Sequence, residues 1–150
     1  MSHSTTAYPA KEYLALGTIS SADITGTAAG QLGHAQGFEL VPAYGADKVV
    51  EFVSAVLSME FDTAAYTAGG NTTINIGTGG AAQSGLVSNA NFIQASADKI
   101  IQFVPLAATF NELTANRGLN LVSAAAPTNP GTAAGVINYR VTYRVLSTSL

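Results

Sequence analysis

Residues 137–145 alternate apolar and polar side chains without a break. Ile137, Tyr139, Val141, Tyr143 and Val145 fall on one side, and Asn138, Arg140, Thr142 and Arg144 on the other. Two is the strand period, because successive side chains of an extended chain point to opposite faces. A strand with one apolar face must bury it against a second layer, so the pattern commits the chain to a packed β architecture. Residues 13–19, 38–41, 71–76, 99–104 and 118–123 read as further strands bounded by Gly, Pro, Asn or Asp. The segment 48–62 fits two periods: Val49, Phe52, Val53, Val56 and Leu57 make a helical stripe, while Val49, Val53, Ala55, Leu57, Met59 and Phe61 follow period two. Its β-branched and aromatic content decides for strand.

Between the strands, residues 26–37 hold four glycines and read as a loop, and 127–131 is a loop on its Pro, Asn and Gly content. The one short helix is expected within 86–97, capped by Ser88 or Asn89. Seven or eight short strands without βα alternation predict an all-β, antiparallel sandwich of jelly-roll type. An Ig-like sandwich is the alternative, weakened by the absence of Trp. Residues 1–12, small and polar, are expected to form a flexible arm ahead of a single domain over 13–150.

Composition then limits what such a sandwich does. Apolar residues make up 47% of the chain, but 26 of them are Ala, so the core is of ordinary size. Charged residues are only 10%, against about 25% in a typical soluble domain, and the surface is left to Thr, Ser, Asn, Gln, Gly and Ala. A surface so poor in charge suits one covered by other subunits. Six basic residues and a net charge of −3 give no footprint for nucleic acid. No stretch approaches the roughly 18 apolar residues of a membrane helix, and no partner in a membrane is expected. Without Cys, disulfides, thiolate metal sites and thiol catalysis are excluded. The first residues lack a cationic and apolar leader, so synthesis in a cytoplasm is expected.

The motifs that could carry chemistry are weak. Gly77-Thr-Gly-Gly-Ala-Ala82 matches the G-x-G-x-x-A dinucleotide pattern, but Gly85 interrupts the helix that would hold a pyrophosphate, so a glycine turn between antiparallel strands is expected. The sequon at Asn71 needs a secretory pathway that nothing here indicates. His3 and His34 have no metal-ligand spacing, and no G-x-S-x-G nucleophile turn exists. Glu60 and Asp62 could pair as hydrolytic carboxylates, yet two positions apart at a strand end they read as a solvated turn. A weak calcium site at Asp62 or Asp47 lacks the D-x-D-x-D-G spacing. Tyr8, Tyr13, Tyr44 and Tyr66 lie outside the most regular strands and could stack on sugar, while Tyr139 and Tyr143 read as core. No catalytic residue, metal or cofactor is expected.

The segments Phe38-Glu-Leu-Val-Pro-Ala-Tyr-Gly-Ala-Asp-Lys-Val-Val-Glu, Ala64-Ala-Tyr-Thr-Ala-Gly-Gly-Asn71, Asn116-Arg-Gly-Leu-Asn-Leu and Tyr139-Arg-Val-Thr-Tyr-Arg-Val145 resemble small structural proteins of tailed bacteriophages and prophages. The resemblance covers most of residues 38–146 and contains no catalytic signature. It implies a non-enzymatic β-sandwich of the virion, of head decoration or cement type, trimeric and bound to the major capsid protein on the head surface. A tail-fibre or baseplate module that binds host glycan is the alternative. The contact candidates are Tyr8 and Pro9 of the arm, His34 of the glycine-rich loop, and the Arg140/Arg144 face.

Overall fold

The computed structural model describes residues 10–107, 111–129 and 135–149. Among the described residues nine strands are formed: β1 (Glu12–Ile19), β2 (Phe38–Val41), β3 (Lys48–Glu60), β4 (Thr67–Ala68), β5 (Thr72–Ile76), β6 (Lys99–Phe103), β7 (Leu119–Ser123), β8 (Pro127–Thr128) and β9 (Val136–Ser147). One sheet has the order β1-β9-β3-β6 and another β2-β7-β5, every pairing being antiparallel; β4 and β8 make a small separate ladder. The second sheet gains an irregular fourth member. Bridges Thr72↔Val87 and Asn75↔Ala82 lay residues 82–87 antiparallel along β5. Where this segment bulges, the Ser84 hydroxyl replaces a ladder carbonyl and accepts from the Ile74 N–H at 2.8 Å.

The chain passes back and forth between these two sheets, and the last strand returns to lie between the first and the third. That winding is the jelly roll. An immunoglobulin sandwich places its first two strands side by side in one sheet, whereas here β1 and β2 belong to different sheets. The core lies between the layers: Val50, Phe52, Ala55, Leu57, Met59, Phe103, Ile137 and Val141 from one sheet meet Leu40, Ile74, Leu119 and Leu121 from the other. Phe92 closes an edge against Phe103, ring centroids 5.9 Å apart in a T-shaped pair.

Several expectations are corrected. The α-helix is α1 (Ser21–Thr25), within the stretch after β1, and the segment 86–97 forms only a 3₁₀ turn at Asn89–Asn91. Ser20 caps α1 by accepting from the Asp23 N–H at 3.2 Å while its hydroxyl donates to the Asp23 carboxylate, a local exchange that Ser88 does not make. Part of the 127–131 loop is strand, as β8. Glu12, placed in the arm, is the first residue of β1; residues 1–9 lie outside the described residues.

The two periods of 48–62 have a structural cause. β3 carries a bulge between Phe52 and Ser54 against β9. One extra residue reverses the parity of the faces, so Val50 and Phe52 point inward before it and Ala55, Leu57 and Met59 after it. A period-two strand with one phase shift mimics a helical stripe. Val49, expected inward, is half-exposed for this reason.

Candidate interaction face

The outer face of the β1-β9-β3-β6 sheet is built by register. Leu16, Arg140, Val56 and Gln102 stand in one row across the four strands, and Thr18, Asn138, Ser58 and Ile100 in the next. Leu14 and Thr142 share the row on the other side. The relative exposures are 65% for Leu16, 45% for Leu14, 40% for Val56, 73% for Ile100 and 51% for Val104, just beyond β6. Isolated exposed apolar residues are ordinary, but five on one sheet face form a patch of the kind that marks a contact surface.

The two arginines of β9 behave differently. Arg144 sits in register between Glu12 of β1 and Glu51 of β3, and its guanidinium reaches both, at 2.7 and 3.3 Å. The hydrogen bonds it donates to these carboxylates stabilise its charged form and raise its pKa. Arg144 therefore ties three strands together at one end of the sheet. Its replacement by Met leaves Glu12 and Glu51 to repel each other, so a lower melting temperature is expected, with the loss shrinking in high salt. Arg140 is exposed and has no ionic or hydrogen-bonding partner among the described residues. The sequence placed both arginines on one face and could not distinguish them, because the clamp depends on which residues of β1 and β3 come opposite.

At the same end of the sandwich the inward side carries an aromatic group. Tyr13 stacks on Tyr143 with centroids 5.7 Å apart, and the Tyr44 and Tyr143 hydroxyls are 2.5 Å apart. Lys11 lies 5.1 Å above the Tyr13 ring. Tyr66 is not an exposed aromatic: it is 1% exposed and donates its hydroxyl hydrogen to the Gly135 carbonyl at 2.6 Å. Burial pushes both Tyr66 and Tyr143 up to about 12, with the Tyr44 hydrogen bond adding to the second. An unfolded tyrosine titrates near 10. Between pH 10 and 12 the unfolded chain loses protons that the folded chain keeps, so stability present below pH 10 is lost as pH rises. The Tyr66 contribution is on the order of 2–3 kcal/mol; alkaline melting curves of Tyr66→Phe should show a shallower loss over that range.

The other candidates are separated. His34 is half-buried in the loop after α1, its Nδ1 accepting from the Gln36 N–H at 3.2 Å. Glu60 accepts from Asn138 at the far end of β3, and with Asp62 it borders a shallow cleft of about 250 Å³. A second cleft, about 380 Å³, is lined by Glu51, Phe52, Gln83, Asn111 and Arg144, without histidine. Among the described residues no three His, Asp or Glu side chains gather as a metal site. The 77–82 glycine motif is a turn: the Ile76 N–H donates to the Ala81 carbonyl, and Gly77 and Gly79 adopt positive φ. Tyr8 and Pro9 lie outside the described residues.

Fold and site together define an antiparallel jelly-roll domain with one sheet face that exposes Leu14, Leu16, Val56, Ile100 and Val104 around Arg140. No family model matches the chain, and no curated protein does. A similar solved structure, "Cyanophage Pam1 capsid asymmetric unit", is 19% identical with a TM-score of 0.48, the match covering 96% of this chain and 91% of that one. At that distance nothing about function passes from one chain to the other.

Proposed function

We propose that this chain is a non-enzymatic virion structural protein: a homotrimeric jelly roll that binds the major capsid protein on the outside of a phage head and stabilises the shell. The observation that carries this reading is the exposed apolar face of the β1-β9-β3-β6 sheet, where Leu14, Leu16, Val56, Ile100 and Val104 stand around Arg140, which has no ionic partner among the described residues. The segmental resemblance to small tailed-phage structural proteins supports it. A protein that binds the assembled lattice, and not its separated subunits, shifts the equilibrium toward the closed shell by mass action. Electron microscopy of purified particles of the encoding phage tests the location. Many copies across the head are expected; a few copies confined to the tail overturn the reading. Light scattering of the isolated protein tests the trimer separately, and a stable monomer counts against it.

Tyr13 and Tyr44, partly exposed beside Tyr143, favour a second reading, a tail module that stacks on host glycan. Saturable binding to host-surface sugar, lost in Tyr44→Ala, is its signature. The head-surface reading predicts no such binding.

A further inference from the structure

We infer that the outer face of the β1-β9-β3-β6 sheet docks a carboxylate-bearing surface of the shell protein, with Arg140 as its central anchor. The inference rests on the head-surface reading and adds the contact face and the chemistry of the partner to it.

Arg140 occupies the middle of β9, which is itself a central strand, in one row with Leu16, Val56 and Gln102. Around it stand Thr142, Asn138 and Ser58, which are uncharged. The nearest charges on the face lie at its ends: Arg144 with Glu12 and Glu51 on one side, and Glu60 opposite Val136 on the other. The Arg144 cluster is four residues along β9 from Arg140, about 13 Å at strand rise, beyond the roughly 8 Å over which exposed charges are felt at physiological salt. The Glu60 carboxylate reaches back to Asn138, two residues from Arg140, and is held there without pairing with the guanidinium. Among the described residues no carboxylate pairs with the guanidinium, and an unpaired charge cannot be covered cheaply by an apolar partner. The occupant must bring an anion, and the planar fork of Arg matches a carboxylate in two-point contact.

The position of Arg140 also argues against a second copy seated on this face about a two-fold axis. Such a contact is self-complementary and would bring Arg140 towards its own image at the centre. A heterologous partner escapes that repulsion. The extent of the face sets the strength. Four strands at about 4.8 Å spacing and the stretch from Val136 to Arg144 cover about 500 Å², below the roughly 800 Å² per partner of a stable standard interface. One subunit alone holds weakly, and several held together on a repeating lattice hold through multivalency.

The test uses the whole protein and heads of the encoding phage assembled without it, with co-sedimentation as the readout. Wild type is expected to bind, Arg140→Glu to bind about 100-fold more weakly, and Arg117→Glu, the same charge change away from this face, to stay within about threefold of wild type. Melting temperature and light scattering of each variant confirm folding and oligomeric state. Undiminished binding by Arg140→Glu overturns the anchor and leaves the head-surface reading standing. No binding by wild type overturns both. A changed oligomeric state of free Arg140→Glu makes a second copy the occupant and overturns the shell assignment.

Discussion

On the proposed head-surface role, replacing Leu16, Val56 and Ile100 together by Thr is expected to abolish association with the head while the domain stays folded. These three side chains are 65, 40 and 73% exposed, so the folded monomer gains little from them. Thr keeps the branched Cβ of Val56 and Ile100 and introduces one at Leu16, which suits a strand and limits the cost to the sheet. In a covered interface the same side chains lose their contact with water. Each is then worth part of the 1.5–3 kcal/mol of a fully buried aliphatic. Roughly 3–6 kcal/mol in sum corresponds to about 10²–10⁴ in affinity. Co-sedimentation measures the loss and calorimetry the unchanged stability. A variant that melts as wild type and still binds removes this face from the contact.

A large loss of stability is expected at a glycine. An added Cβ at Gly118 meets the Val41 carbonyl oxygen at 2.0 Å and the Pro42 backbone at 2.9 Å. Neither is the end of a flexible side chain. Val41 pairs with Leu119 in the β2–β7 ladder, so moving it away breaks the pairing that joins these strands. The Gly118 carbonyl also accepts the Gly77 N–H at 2.8 Å, which fixes the end of the glycine turn after β5. Gly118→Ala should therefore cost at least about 3 kcal/mol, roughly 6–12 °C in melting temperature for a domain of this size. By contrast, Gly85→Ala meets open space and should melt within a degree or two of wild type.

The strands of this protein are legible because their signal is local. In β9 every second side chain reports its face, and Gly, Pro and Asn mark where strands stop. Helix α1 was legible in principle through the capping sequence Ser20-Ser21-Ala22-Asp23, but a helix of five residues is too short to show an apolar period. Tyr66 was misplaced because being outside a regular strand says nothing about burial. Its phenol is covered by packing and satisfied by the carbonyl of Gly135, distant in sequence.

By itself, then, the sequence determined an antiparallel two-layer sandwich, a core of ordinary size, and a surface too poor in charge to resemble that of a free-standing soluble domain. It also placed Arg140 and Arg144 on one polar face. Only the tertiary structure decided that Arg144 is spent on Glu12 and Glu51 while Arg140 is left free, and that the sheet carrying them exposes Leu14, Leu16, Val56 and Ile100. The physical reason is register. Alternation fixes which side of a strand a residue faces, but the partner strands and the bulge in β3 fix what stands next to it, and both depend on residues far away along the chain.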